Sequence, residues 1–235
     1  MKATALLVPF WLILSLGVCC GAQSEQHLSI TIQKPLDMGY LLFLPRAYAA
    51  TTNRHWPMIL FLHGSGERGT DLSKVKINGL PKLVETETNF PFIVVSPQCP
   101  EEQGWDTDAL YALVQEITKT YRVDTNRLYL TGLSMGGFGT WNMAITYPKL
   151  FAAIAPVCGG GNPAKVAAVR HIPVWVFHGT DDTVVPIQKS EDMVTALQKA
   201  GGNVRFTRYE KTGHDAWTKA YSQPELYPWF LQQSK

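Results

Sequence analysis

The stretch Leu128-Tyr129-Leu130-Thr131-Gly132-Leu133-Ser134-Met135-Gly136 decides how this chain folds. Its first half is a short apolar run of strand type. Its second half fits G-x-S-x-G, and a helical pattern, Ser134–Thr146, follows directly. A serine on a sharp strand-to-helix turn is held in strained backbone geometry with its Oγ exposed. Side chains two residues to either side would collide with neighbouring backbone, so glycine is required there. The helix N-terminus behind the serine offers unpaired N–H groups and a positive dipole end, which suits an oxyanion. The five-residue match alone is weak. The strand before it and the helix after it favour a nucleophile over the plainer alternative, a capping serine on a glycine-rich turn.

Working outward, short apolar runs recur on both sides. Leu28–Ile32 and Tyr40–Leu44 read as early strands, followed by Met58–Leu62, Phe92–Val95, Leu128–Leu130, Ala152–Val157, Val174–Phe177 and Val204–Tyr209. Runs apolar at every position fit a parallel sheet buried on both faces. Helical patterns lie between them at Asp106–Thr120, Ser134–Thr146, Ile187–Lys199 and Pro224–Gln232. In the first, Leu110, Leu113, Val114 and Ile117 form a stripe. The earliest strands leave no room for a helix and are expected to pair antiparallel. The reading is an α/β fold, a mostly parallel sheet of about eight strands flanked by helices. Only Gly159 to Pro173 separates two of the later strands, so no large lid domain is expected.

The chain has 235 residues, a length that suits one domain. A net charge of +2 with no basic block gives no sign of a nucleic-acid partner. Lys2 and the apolar run Ala5–Val18, followed by Cys19-Cys20-Gly21-Ala22, read as a secretory signal peptide over residues 1–22. The catalytic domain is then 23–235, secreted or periplasmic, with no membrane span. Leu16-Gly17-Val18-Cys19 loosely fits a lipidation signal, so anchoring at Cys19 is a second possibility, although Val18 is large for that motif. Export permits a disulfide between Cys99 and Cys158, but sequence does not set their separation, and two buried thiols fit as well. The oligomeric state is not set by the sequence.

A serine nucleophile needs a base, and the base needs an orienting carboxylate. Both are expected at later strand ends, acid before histidine. After Val174–Phe177 comes His178-Gly179-Thr180-Asp181-Asp182, and after Val204–Tyr209 comes Gly213-His214-Asp215. The order is Ser134, then Asp181 or Asp182, then His214, with only one of the two aspartates able to reach the base. Asp215 is expected to cap the helix near Trp217. His178 is expected to bond backbone in the Asp182 loop, and His27, His55 and His171 read as surface. No metal-ligand spacing occurs among the six histidines, so neither metal nor other cofactor is expected.

The run Met58–Leu62 leads into His63-Gly64-Ser65-Gly66-Glu67-Arg68-Gly69. Its glycines let the backbone turn N–H groups inward. An oxyanion hole is expected from the N–H of Met135 and that of Ser65, with Gly66 as the alternative in the loop. Glu67 and Arg68 are expected to pair with neighbours and hold the loop. Trp105, Trp141 and Trp217 are candidates to line an acyl or sugar site, though each also suits the core.

These segments, with Ser96-Pro97-Gln98-Cys99-Pro100 and Pro156-Val157-Cys158-Gly159-Gly160-Gly161, resemble one known group over nearly the whole of 23–235. It is the compact secreted α/β-hydrolases described as predicted peptidases or phospholipase/carboxylesterase-like. They are related to dienelactone hydrolases, feruloyl esterases and polyhydroxybutyrate-depolymerase-like esterases. The resemblance implies the α/β-hydrolase fold. In its H-G-x-x-D pattern the last residue is the triad acid, which favours Asp182 over Asp181. It further implies a serine carboxylesterase working through an acyl-enzyme, on small esters or on feruloyl or acetyl groups of polysaccharides. Two other readings stand beside it: a serine peptidase on short peptides, and a non-catalytic binding protein on a hydrolase scaffold.

Overall fold

The computed structural model describes His27 and residues 35–235. The expected leader at 1–22, Cys19 and the strand Leu28–Ile32 lie outside the described residues. Residues 36–235 form one compact unit.

Seven strands make its sheet: β1 Tyr40–Phe43, β2 Trp56–Leu62, β3 Ile93–Pro97, β4 Val123–Leu133, β5 Ala153–Val157, β6 Val174–Gly179 and β7 Val204–Tyr209, in spatial order β1-β3-β2-β4-β5-β6-β7. The count among the described residues is seven, not eight. Only β1 runs antiparallel, with Tyr40 opposite Pro97 and Phe43 opposite Val94. The expected antiparallel pairing of the earliest strands involves Leu28–Ile32 and so lies outside the described residues; β1 itself lies on β3 and not on β2. Strand β2 already has parallel neighbours on both edges, β3 and β4. Strand β1 covers the outer edge of β3, and an uncovered strand edge is a template for aggregation.

The fully apolar strands are sandwiched as their sequences demand. Along β2 the side chains alternate between two cores. Met58, Leu60 and Leu62 enter one, and Ile59 and Phe61 the other. In β6, Val174 and Val176 join the first core and Trp175 and Phe177 the second. Helices α2 (Thr107–Thr120), α3 (Met135–Thr146) and α4 (Gln188–Lys199) cover the first face. Helices α1 (Gly79–Leu83), α5 (Ala216–Tyr221) and α6 (Leu226–Leu231) cover the second. Helix α2 buries the expected stripe and starts where Asp106 accepts hydrogen bonds from the N–H groups of Asp108 and Ala109 at 2.9 and 3.2 Å. Truncating a fully buried aromatic such as Phe61 to alanine costs about 3–5 kcal/mol.

This order positions the site. The connection from β2 goes outward to β3 on one side, and the connection from β3 crosses back to β4 on the other side of β2, so the topology reverses between β2 and β4. Crevices at the carboxyl ends of strands near such a reversal are where open α/β sheets bind ligands. The loops after β2, β4, β6 and β7 all open on that edge. Among the described residues no helix is long and apolar enough to cross a membrane.

Candidate active site

Ser134 sits between β4 and α3 with φ 53° and ψ −116°, in the left-handed half of the map that side-chain-bearing residues avoid. The surrounding glycines are sterically required. A Cβ on Gly136 would lie 2.0 Å from the Leu62 carbonyl oxygen, and one on Gly132 would lie 2.4 Å from that of Gly136. The turn is pinned by Ser134 N–H donating to the Val157 carbonyl at 3.0 Å. The serine hydroxyl caps nothing in the helix. It lies 2.9 Å from His214 Nε2.

The next step brings Asp182 into line. His214 Nδ1–H donates to Asp182 Oδ2 at 2.7 Å, leaving Nε2 to accept from Ser134 Oγ–H. Asp182 Oδ1 accepts from the backbone N–H groups of Val184 and Val185, each at 2.9 Å. Burial alone would raise the Asp182 carboxyl. The His214 hydrogen bond and the Val185 and Val184 N–H groups outweigh it and hold the pKa below the usual carboxylate value. Asp181 is exposed, and its Oδ1 accepts from its neighbour Thr180 Oγ1 at 2.8 Å. The two loops are joined by backbone bonds: Asp181 N–H to Thr212 O at 2.9 Å and Thr180 N–H to Tyr209 O at 3.0 Å. Gly179 permits the crossing, since a Cβ there would sit 2.2 Å from the Thr212 oxygen. Asp215 precedes α5 as expected, but its carboxylate accepts from Thr218 Oγ1 at 2.7 Å and bonds no backbone N–H of the helix.

The glycine loop after β2 faces the serine. Met135 opens α3 and Ser65 opens a short 3-10 turn, Ser65–Glu67, so neither N–H has a helical partner. Gly64, Ser65, Leu133, Ser134, Ile77 and Trp217 line a cleft of about 310 Å³ that also reaches His214. Glu67 is buried and accepts from Asn78 Nδ2 at 2.7 Å, the anchoring role expected of it. Gln98 Nε2 ties the Glu67 and Asp71 carbonyls, both at 2.8 Å. Arg68 lies against the Met135 sulfur at 2.9 Å. His63 is a buried strut that sequence reasoning passed over. Its Nε2 accepts from the Cys99 N–H at 3.0 Å, so its Nδ1 carries the proton and donates to the Gly64 carbonyl at 2.6 Å. Burial pushes the His63 pKa below the ordinary value, keeping the neutral form that this pattern requires.

Of the three tryptophans, Trp141 is fully buried in the core. Trp217 stands edge-on to His214 with ring centres 5.1 Å apart, and Trp105 donates to the His63 carbonyl at 3.2 Å. Ile77, 57% exposed at the lip of the cleft, was not anticipated, because a lone apolar residue before Asn-Gly carries no pattern. Cys99 and Cys158 are separate buried thiols. Cys158, His178 and Asp182 bring ligand atoms within 4.8 Å of one another, a spacing that would hold a metal ion. Burial pushes the Cys158 thiol up to about 12. His55 and His171 are exposed, as expected, as is His27.

Comparison with known proteins shows the family. The family model described as phospholipase/carboxylesterase matches residues 90–223. A bifunctional acetylxylan esterase/xylanase of Neocallimastix patriciarum is 35% identical over 149 residues, 57% of this chain but 20% of that protein. A poly(3-hydroxyoctanoate) depolymerase of Pseudomonas fluorescens is 27% identical over 208 residues, 74% of this chain and 73% of that one. The crystal structure of a thermostable esterase is 37% identical, with a TM-score of 0.74 over 88% of this chain and 63% of that chain. The seven-stranded, mostly parallel sheet is that of an α/β-hydrolase, and the chain belongs to the phospholipase/carboxylesterase family.

Proposed function

We propose that the protein is a serine carboxylesterase in which Ser134, His214 and Asp182 form the catalytic triad. One observation carries the reading: the continuous relay from the Ser134 hydroxyl through His214 to a buried, ionised Asp182. His214 Nε2 takes the hydroxyl proton as Ser134 Oγ attacks an ester carbonyl. The N–H groups of Met135 and Ser65 stabilise the resulting oxyanion. The tetrahedral intermediate collapses, His214 gives its proton to the departing alcohol, and an acyl-enzyme remains. Water, deprotonated by His214, then attacks the acyl carbonyl and releases the acid, returning the proton to Ser134. Asp182 keeps Nδ1 protonated and stabilises the imidazolium.

The cleft is open and has Trp217 and Ile77 at its wall, which suits an ester carried on a bulky polymer. The kinship with an acetylxylan esterase/xylanase supports acetyl esters of polysaccharides within the proposed substrate class of acetyl or feruloyl esters. The signal-like run Ala5–Val18 supports export as the route to such polymers. The test is turnover of short p-nitrophenyl esters by Ser134→Ala. Loss to background is expected, and substantial residual rate overturns the triad. A panel of acetyl-xylan, feruloyl and long-chain acyl esters tests the substrate class, and preference for the long chains overturns it.

A further inference from the structure

His178 is buried behind the triad, and nothing in the mechanism above uses it. We infer that His178 is a positioning residue for the triad acid: its Nε2–H donates to Asp182 Oδ2 and fixes the carboxylate that His214 reads. The inference rests on the proposed triad.

The proton inventory around the ring carries it. Nε2 lies 2.8 Å from the Val185 carbonyl oxygen and 3.1 Å from Asp182 Oδ2. Both are acceptors, one of them charged, and a bare Nε2 lone pair facing them would be repelled. Nε2 therefore carries a proton in any tolerable state. On the far side, Nδ1 lies 2.8 Å from Ser190 Oγ, which itself lies 2.8 Å from the Gly159 carbonyl. A hydroxyl has one proton, so two states fit. In the neutral ring, Ser190 donates to Nδ1. In the charged ring, Nδ1–H donates to Ser190, whose proton turns to Gly159. Burial holds the His178 pKa below its ordinary value and favours the neutral state. Both states keep the single Nε2–H, shared between the Val185 carbonyl and Asp182 Oδ2.

Asp182 then has its four lone-pair sites filled by fixed donors. Val184 and Val185 N–H serve Oδ1, while His214 and His178 serve Oδ2. The side chain has no exposed surface, so no water can replace a missing donor. Saturation has two effects. It fixes the rotation of the carboxylate, and it shares the charge of Oδ2 between two imidazoles. The second effect moderates the pull of Asp182 on the His214 proton. The charged or titratable groups facing His178 are Asp182 on its own loop, His214 from the loop after β7, and Cys158 from the end of β5. From α4 it meets the hydroxyl of Ser190.

His178→Leu removes the donor at similar bulk. Its kcat on a short p-nitrophenyl ester should fall about 10- to 100-fold, the worth of one hydrogen bond to a buried charge, with KM little changed. The acid limb of kcat/KM should move up in pH, because Asp182 holds the His214 proton harder. His178→Gln restores an N–H near the Nε2 position and should recover much of both. A wild-type acid limb in folded His178→Leu overturns the inference. Ser134→Ala in the same assay separates the two failures: turnover in that variant sinks the triad itself, whereas a dead Ser134→Ala beside an unaltered His178→Leu sinks only the role of His178. If His178→Leu does not fold, nitrogen-15 histidine spectra of the wild-type protein decide. A ring protonated at Nε2 is expected, and a neutral ring protonated only at Nδ1 overturns the inference.

Discussion

The turn that carries Ser134 and the loop that carries Asp182 meet at His214 but are built on different physics. The turn is held by steric exclusion. Glycine at 132 and 136 is forced by backbone oxygens 2.0–2.4 Å from any added Cβ, and the serine itself is strained at φ 53°. The acid loop is held by hydrogen bonds to one buried charge, from two backbone N–H groups and two imidazoles. A steric site fails by not folding and is indifferent to pH. A hydrogen-bonded charge site can keep its fold and lose its chemistry, and it answers to pH. The two regions should therefore break in different ways.

The largest effect is expected at Asp182→Asn. The amide oxygen can still accept from Val184 and Val185, which turns its NH2 towards the two imidazoles. His214 Nδ1 must then accept, its proton moves to Nε2, and Nε2 no longer accepts from Ser134. We expect kcat to fall about 10⁴-fold with the fold retained. Steady-state kinetics alongside a urea transition check this, and a loss under tenfold would mean that the carboxylate does not set the tautomer.

Gly136→Ala should do the opposite. Its Cβ would overlap the Leu62 carbonyl, which belongs to a central strand and has no room to retreat. Destabilisation of about 3 kcal/mol or more is expected, seen as loss of soluble protein or a lowered urea midpoint. A variant with a wild-type midpoint would show that the turn can yield and is not sterically set.

The contrast extends to pH. Asp182 has a folded pKa below its unfolded one, so its stabilisation is present above the unfolded value and lost as pH falls through the folded value. His63 and His178 are also lowered, by burial. As pH falls through about 6.5 the unfolded chain gains protons on these histidines before the folded one does, so stability declines from there downward. The urea midpoint should drop steadily from pH 7.5 towards pH 4. A flat profile would contradict the neutral, buried assignment of both rings.

The same division explains what the sequence could reveal. The turn is local, so G-x-S-x-G between an apolar run and a helical pattern exposed Ser134, Met135 and the glycines together. The strands were legible because burial on both faces makes them apolar at every position, as in Met58–Leu62. The acid loop is assembled by contacts without periodicity, and only His214 reaches it from afar, 32 residues on. The bond from His178 to the Val185 carbonyl is the loop-backbone contact expected of it, whereas its reach to the Asp182 carboxylate and to Ser190 on α4 follows no periodic pattern. The brace from His63 to Cys99 spans 36 residues. The place of β1 on β3 is a property of the whole sheet, which no local run of sequence shows. Helices α1 and α5 are too short to show a stripe.

The smallest effect is expected beside the largest. Asp181 and Asp182 are adjacent and chemically identical, and residue reasoning alone left both open as the acid. Successive side chains point apart, and here one is buried against His214 while the other is exposed and bonds only Thr180 among the described residues. Solvent screens Asp181, and its backbone N–H to Thr212, which joins the two loops, does not depend on the side chain. Asp181→Asn should change kcat less than twofold and stability by under about 0.5 kcal/mol. A tenfold loss of kcat in that variant would mean that the charge of Asp181 reaches His214 through solvent. The acid loop would then owe its function to field as well as to contact, and the contrast with the sterically built turn would sharpen further.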